Sequence, residues 1–193
     1  DKGVWGYAPL MVSLANTREP LYLVNRPGNT PSCKGAAPWI ERAIDLVRAL
    51  GLEQPKVAIL SAMETVNPQV PSTIEAAALC KMAERGQITG GILDGPLALD
   101  NAIDLGAARI KNIVSPVAGQ ADILVVPDLE AGNMLAKSLS FMADADAAGI
   151  VLGARVPIIL TSRADSVMAR LASCAVAVFV AQARREQAAK ALA

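Results

Sequence analysis

The densest reactive text in the chain is Thr161-Ser162-Arg163-Ala164-Asp165-Ser166, which follows the apolar run Ile158-Ile159-Leu160. It sets a hydroxyl, a guanidinium and a carboxylate between an expected buried strand and the start of a helix. Free N–H groups and the positive end of the helix dipole favour an anion at such a place, and arginine grips phosphate with two parallel hydrogen bonds. The same residues fit a plainer use, with Asp165 or Ser166 as helix N-cap and Arg163 in a surface ion pair. Polar groups also gather after three other apolar runs. Ser61, Glu64, Thr65 and Asn67 follow the first, Asp94, Gly95, Pro96, Asp100 and Asn101 the second, and Asp128, Glu130, Gly132 and Asn133 the third. Open α/β sheets bind ligands outside the carboxyl ends of their strands, so these positions are candidate site residues, although helix caps occupy the same places.

The elements that must position them can be read from spacing. Ile40, Ala43, Ile44, Val47 and Leu50 recur at helical intervals, with Gly51 as a stop. Residues 56–61 form a short apolar strand after Pro55. Ser72 with Glu75 three residues later is a capping box, opening a helix that ends near Arg85 and Gly86. A strand over 91–93 finishes at Asp94-Gly95-Pro96, and a helical segment covers 97–108. Then come a strand over 123–126, a helix over 130–142, strands over 149–152 and 156–160, and a last helix from Asp165-Ser166 towards the C-terminus. Short strands that are apolar on both faces, alternating with helices, predict an α/β fold with a mostly parallel sheet flanked by helices. Residues 1–38 are different in kind: Pro9, Pro20, Pro27, Pro31 and Pro38 mark an atypical Pro-rich N-terminal segment, with one expected strand at 21–24. The regular text, 39–193, is expected to form the domain proper.

Composition removes several kinds of chemistry. Of 193 residues, 53% are hydrophobic and only 19% charged, which excludes a disordered chain. Eighteen basic residues balance eighteen acidic ones and aromatics make up 3%, so neither a polyanion-attracting field nor base-stacking platforms are present; no nucleic-acid partner is expected. Histidine is absent, which removes Ser-His-Asp and Cys-His nucleophile systems and histidine metal sites. Cys33, Cys80 and Cys174 are widely spaced and read as reduced thiols, with no disulfide framework and no metal site. Cys80 and Cys174 share helical faces with alanine and leucine and are expected to be buried small hydrophobes. Trp5 and Trp39 read as packing residues, and Arg184-Arg185-Glu186 as a solvated helix face. The most apolar run, 174–181, is shorter than a bilayer requires, so the expectation is a cytoplasmic protein without a membrane partner.

Four segments carry a resemblance: residues 55–68 (PKVAILSAMETVNP), 94–102 (DGPLALDNA), 121–133 (ADILVVPDLEAGN) and 161–166 (TSRADS). In this order they resemble the phosphate acetyltransferase and phosphate butyryltransferase family, from about Ile40 to Val178. The resemblance implies reversible transfer of an acetyl or butyryl group between CoA and inorganic phosphate, giving acyl phosphate and free CoA. It implies a fold similar to the isocitrate and isopropylmalate dehydrogenases, with two α/β lobes around a cleft. Acyl-CoA and phosphate are then substrates, and neither a metal nor a permanently bound cofactor is needed. The resemblance places Ser162 and Arg163 in the active cleft, Arg163 neutralising phosphate and the growing charge on the carbonyl oxygen, Ser162 donating a hydrogen bond to the sulfur or carbonyl. Asp94, Gly95, Pro96, Asn101, Glu130, Asn133 and Thr161 are the corresponding substrate-binding set. Two departures stand out. An aspartate that the acetyl branch carries past its Ser-Arg pair falls here on Ala169, which leaves Asp165 as candidate base, or as an N-cap. The family's N-terminal portion is also unmatched, so the chain is expected to be the C-terminal part of such an enzyme, lacking much of the N-terminal lobe, with impaired turnover and self-association as a homodimer or larger. The alternative is a non-catalytic fragment that binds CoA or acyl phosphate.

Overall fold

The computed structural model describes residues 10–14, 19–24, 35–151 and 156–191. In chain order the elements are β1 (Leu10–Leu14), β2 (Glu19–Val24), α1 (Ala37–Ala49), β3 (Lys56–Leu60), α2 (Pro71–Glu84), β4 (Ile92–Leu97), α3 (Leu99–Ile103), α4 (Leu105–Ile110), β5 (Ile123–Val125), α5 (Leu129–Met142), β6 (Ile150–Val151), β7 (Ile158–Ile159) and α6 (Val167–Ala191). The main sheet has the order β2-β1-β5-β3-β4. Its β5-β3-β4 part is parallel, while β1 runs antiparallel to both of its neighbours.

Side-chain alternation explains why the parallel strands read as unbroken apolar runs. Val57 and Ile59 of β3 and Ile123 and Val125 of β5 point to one face, where Ile40, Ile44 and Val47 of α1, Leu79 of α2, and Ala177 and Val180 of α6 cover them. Ala58, Leu60, Leu124 and Val126 point to the other, against Ala102 of α3, Ala108 of α4 and Leu135 of α5. Both faces are therefore buried, as a parallel sheet requires.

Local chemistry moves several boundaries. The expected capping box at Ser72 is not formed: Pro71 already opens α2, where its missing N–H and fixed φ cost nothing. Val70 is the N-cap and makes no side-chain cap. Ser72 Oγ instead shares a 2.8 Å hydrogen bond with Ser61 Oγ. Thr73 takes over the helix entry, its hydroxyl donating to the Val70 carbonyl at 2.8 Å and accepting from the Asn67 N–H at 2.9 Å. The strand expected to stop before Asp94-Gly95-Pro96 runs through all three, with a cis Gly95–Pro96 bond; on an edge strand proline removes no inner ladder bond. The helix expected over 97–108 is two helices, because Asp104 is extended and caps the second one by accepting from the Ala107 N–H at 2.6 Å.

The segments expected as strands over 149–152 and 156–160 do not join the sheet. They form a small antiparallel pair, β6-β7, and Ile158 and Ile159 are exposed rather than buried. The expected strand at 21–24 falls within β2, β1 has no counterpart in the sequence reading, and Trp5 and Cys33 lie outside the described residues. Trp39 carries the Arg42 guanidinium 4.4 Å from its ring centroid.

Helix α6 is unbroken over 25 residues. Ser173, Ala177 and Val180 face inward, while Val167, Met168, Leu171, Cys174, Val178 and Phe179 are exposed. Cys174 is thus not the buried hydrophobe expected, whereas burial pushes the half-buried Cys80 thiol up to about 12. The 20 residues Val167–Glu186, with a mean hydropathy of 1.4, are long and apolar enough by length and composition to span a membrane, which corrects the shorter run read from the sequence.

Candidate functional site

The carboxyl ends of β3 and β4 hold a polar cluster built from three segments. Glu64 lies in the turn after β3, Asp100 and Asn101 in the first turns of α3, and Lys111 just past α4. Asn101 is fully buried. Its Nδ2 donates to Glu64 Oε2 at 3.0 Å, and its backbone carbonyl accepts from the Gly119 N–H at 2.7 Å. Lys111 Nζ lies 3.1 Å from Asp100 Oδ2 and 3.5 Å from Glu64 Oε2. A hydrogen bond from its own backbone N–H, aided by the Asn101 amide and the Lys111 ammonium, holds the Glu64 carboxyl below the usual carboxylate range. The hydrogen bond from Lys111 does the same for Asp100, and Asp100 in turn raises Lys111. Asn101 Oδ1 is buried with no hydrogen-bond partner among the described residues. Nearby, the bonded Ser61–Ser72 pair stands at a small cleft lined by Leu60, Ala76, Leu79, Val125, Val126 and Glu75.

Asp94 and Gly95 sit beside this cluster within β4. The Gly95 N–H donates to Asp94 Oδ1 at 2.9 Å, and a methyl group on Gly95 would stand 2.6 Å from the Ile59 carbonyl oxygen. Only glycine lets β4 approach β3 this closely. Pro96 is buried next to it. Glu130 and Asn133 occupy the first turns of α5, both exposed, behind an N-cap in which Asp128 accepts from the Ala131 N–H at 2.7 Å.

Thr161, Ser162 and Arg163 are exposed in the loop between β7 and α6. Asp165 closes this loop on itself: its Oδ2 accepts from the Ser162 N–H at 2.5 Å and its own N–H donates to the Ser162 carbonyl at 3.2 Å. Ser166, not Asp165, bonds the helix entry, accepting from the Ala169 N–H at 3.1 Å. Arg163 has no hydrogen bond or ion pair among the described residues. The candidate residues therefore fall in three places, around Asn101, at the start of α5 with Glu130 and Asn133, and around Ser162-Arg163-Asp165, with no hydrogen bond or ion pair joining the three among the described residues. Lys111 escaped the sequence reading because a single lysine beyond a short helix carries no spacing signal; Glu64 was visible as a strand-end carboxylate. No group of three His, Cys, Asp or Glu side chains suited to a metal ion occurs among the described residues.

A family model described as "Phosphate acetyl/butaryl transferase" matches residues 28–178. The chain belongs to this phosphate acetyl/butyryl transferase family. It is 71% identical over 155 residues to a phosphate acetyltransferase of Rhizobium meliloti, covering 80% of this chain and 49% of that protein. It is 51% identical over 148 residues to a probable phosphate butyryltransferase of Bacillus subtilis, covering 77% of this chain and 50% of that protein. A branched-chain phosphotransacylase from Enterococcus faecalis superposes with a TM-score of 0.71 at 33% identity, covering 90% of this chain and 62% of that one. The chain thus spans about half the length of the curated phosphate acetyl/butyryl transferases it matches.

Proposed function

We propose that the chain takes part in phosphate acyl transfer: acyl-CoA plus inorganic phosphate gives acyl phosphate plus CoA. The observation that carries this reading is the family match, which runs through both the Asn101 cluster and the Ser162-Arg163 loop. A phosphate oxygen attacks the thioester carbonyl carbon, the C–S bond breaks, and the departing thiolate takes the proton given up by the attacking hydrogen phosphate. Arg163, without a partner among the described residues, is suited to hold phosphate through its planar fork of donors and then the oxyanion of the tetrahedral intermediate. Ser162 Oγ donates to the sulfur or carbonyl. Asp165 fixes the loop through Oδ2 and leaves Oδ1 to receive the thiol proton in the reverse direction. Thr161, Asp94, Gly95, Pro96, Asn101, Glu130 and Asn133 are read as substrate-binding, CoA as substrate rather than resident cofactor. The finer architecture is read as one lobe of an isocitrate/isopropylmalate dehydrogenase-like pair, with 39–193 as the C-terminal part of the acyltransferase domain and 1–38 as a separate Pro-rich segment.

The exposed apolar stripe of α6, from Val167 to Phe179, supports self-association, a homodimer being the simplest closed form. Ala177 and Val180 of α6 join the α1 side of the core, and the setting is read as soluble and cytoplasmic. A second reading, binding of CoA or acyl phosphate without turnover, is favoured by the exposure of Ser162 and Arg163. Initial rates of CoA release with acetyl-CoA and with butyryl-CoA, each dependent on phosphate, test the first reading. CoA binding without any release leaves only the second.

A further inference from the structure

The pairs that Lys111 makes with Glu64 and Asp100 tie three segments together, yet the three side chains remain 29–53% exposed. Pairs this exposed add little to stability. They lie over a residue that the fold holds at a cost: Asn101 is fully buried and its Oδ1 lacks a donor among the described residues. Turning the amide over would aim Oδ1 at the Glu64 carboxylate, acceptor against acceptor, so Glu64 fixes which atom is left over. We propose that Asn101 Oδ1 accepts a hydrogen bond from a neutral donor of the thiol substrate, an amide N–H or hydroxyl of the CoA pantetheine arm, bound at the carboxyl ends of β3 and β4.

This rests on the acyl-transfer reading and divides the substrates between the Asn101 cluster and the Ser162-Arg163 loop. Glu64, Asp100 and Lys111 together carry one net negative charge, and both carboxyls are held in their ionised form. Inorganic phosphate is repelled there, and a carbonyl oxygen has no proton to offer it. An uncharged N–H or O–H meets neither objection. The anion then falls to Arg163 and the neutral arm of the thiol to Asn101. Because Oδ1 is closed to solvent, the donor reaches it only as the side chains around it give way.

The test is calorimetric titration of CoA into the wild-type chain and into Asn101→Leu, with the KM for phosphate measured alongside. Leucine is similar in volume and removes the unpaired oxygen together with the Nδ2 bond to Glu64, so circular dichroism first establishes that the variant is folded. The Kd for CoA rises about tenfold, equivalent to about 1.4 kcal/mol, and the KM for phosphate stays within about twofold. Should the leucine variant fail to fold, Asn101→Ser replaces it, with a rise of about threefold or more expected. A folded variant that binds CoA within about twofold of wild type overturns the inference and assigns Oδ1 to an internal water, leaving the acyl-transfer reading standing. A wild-type chain that binds no CoA overturns both.

Discussion

Replacing Gly95 by alanine tests how tightly the site is tied to the sheet. The new methyl carbon would lie 2.6 Å from the Ile59 carbonyl oxygen and 2.8 Å from Ile59 Cβ. No left-handed backbone is involved at Gly95, so the whole effect is steric. Ile59 cannot retreat, because β3 is flanked by β5 on its other side. Overpacking of this kind costs about 1–3 kcal/mol, and a backbone neighbour in a central strand argues for the upper end, about 3 kcal/mol. In a chain of this size that lowers Tm by about 6–12 °C. Gly86→Ala is the control: it meets nothing within 4 Å, and its φ of +71° costs only the about 1–2 kcal/mol of a left-handed L-residue. Thermal unfolding followed by circular dichroism reads both. If Gly95→Ala melts within about 2 °C of wild type, β4 is free to move away from β3 and the argument for a rigid strand-end site is wrong.

Arg163→Ala should lower phosphate-dependent CoA release by about 10²–10³-fold while leaving Tm unchanged, as expected for an exposed guanidinium without a partner among the described residues; a large drop in Tm would show a structural role instead. Leu171→Glu with Phe179→Glu, both on the exposed stripe of α6, should shift sedimentation towards the monomer, and a wild-type chain already monomeric at micromolar concentration contradicts the stripe's role. Glu64 and Asp100 titrate below their ordinary values when folded, so their small stabilisation is present above the ordinary carboxylate range and is lost as pH falls through the lowered values. Lys111→Met should flatten the Asp100 part of that acid limb, and 1 M salt should do the same to wild type, while Glu64 is held mainly by its own backbone N–H; an unchanged limb refutes the Asp100 pairing. Cys80 should react only slowly with a disulfide reagent at neutral pH, because burial pushes its thiol up to about 12; Cys80→Ser should therefore leave the fast-reacting thiols unchanged in number, and loss of a fast thiol contradicts this.

What the sequence disclosed depended on how many constraints each residue answers to. Val57 to Leu60 and Ile123 to Val125 were legible as strands because helices cover both faces and demand apolar residues without interruption. Ile158 and Ile159 show the same text with a different outcome: two residues pairing only with β6 stay exposed, and an apolar pair alone does not report which sheet it will join. Ser72 satisfied a capping pattern that Pro71 had already made unnecessary. The Asn101 site was half legible. Asn101 and Glu64 follow strands, where ligands gather, but the Lys111 contact depends on how two short helices turn at Asp104, and that turn follows from one side chain capping the second helix.

The position of β1 has a practical consequence. Its backbone fills the flank of β5, at Val12 opposite Val125 and Leu14 opposite Ile123, and β2 in turn seals β1. Clipping the polypeptide between residues 24 and 35 and stripping away the liberated piece would bare a row of unsatisfied amides and carbonyls along the parallel trio. Such a row recruits any extended segment that drifts past. The β1–β2 pair thus serves as a bandage on that border, and preparations nicked there should clump before they melt.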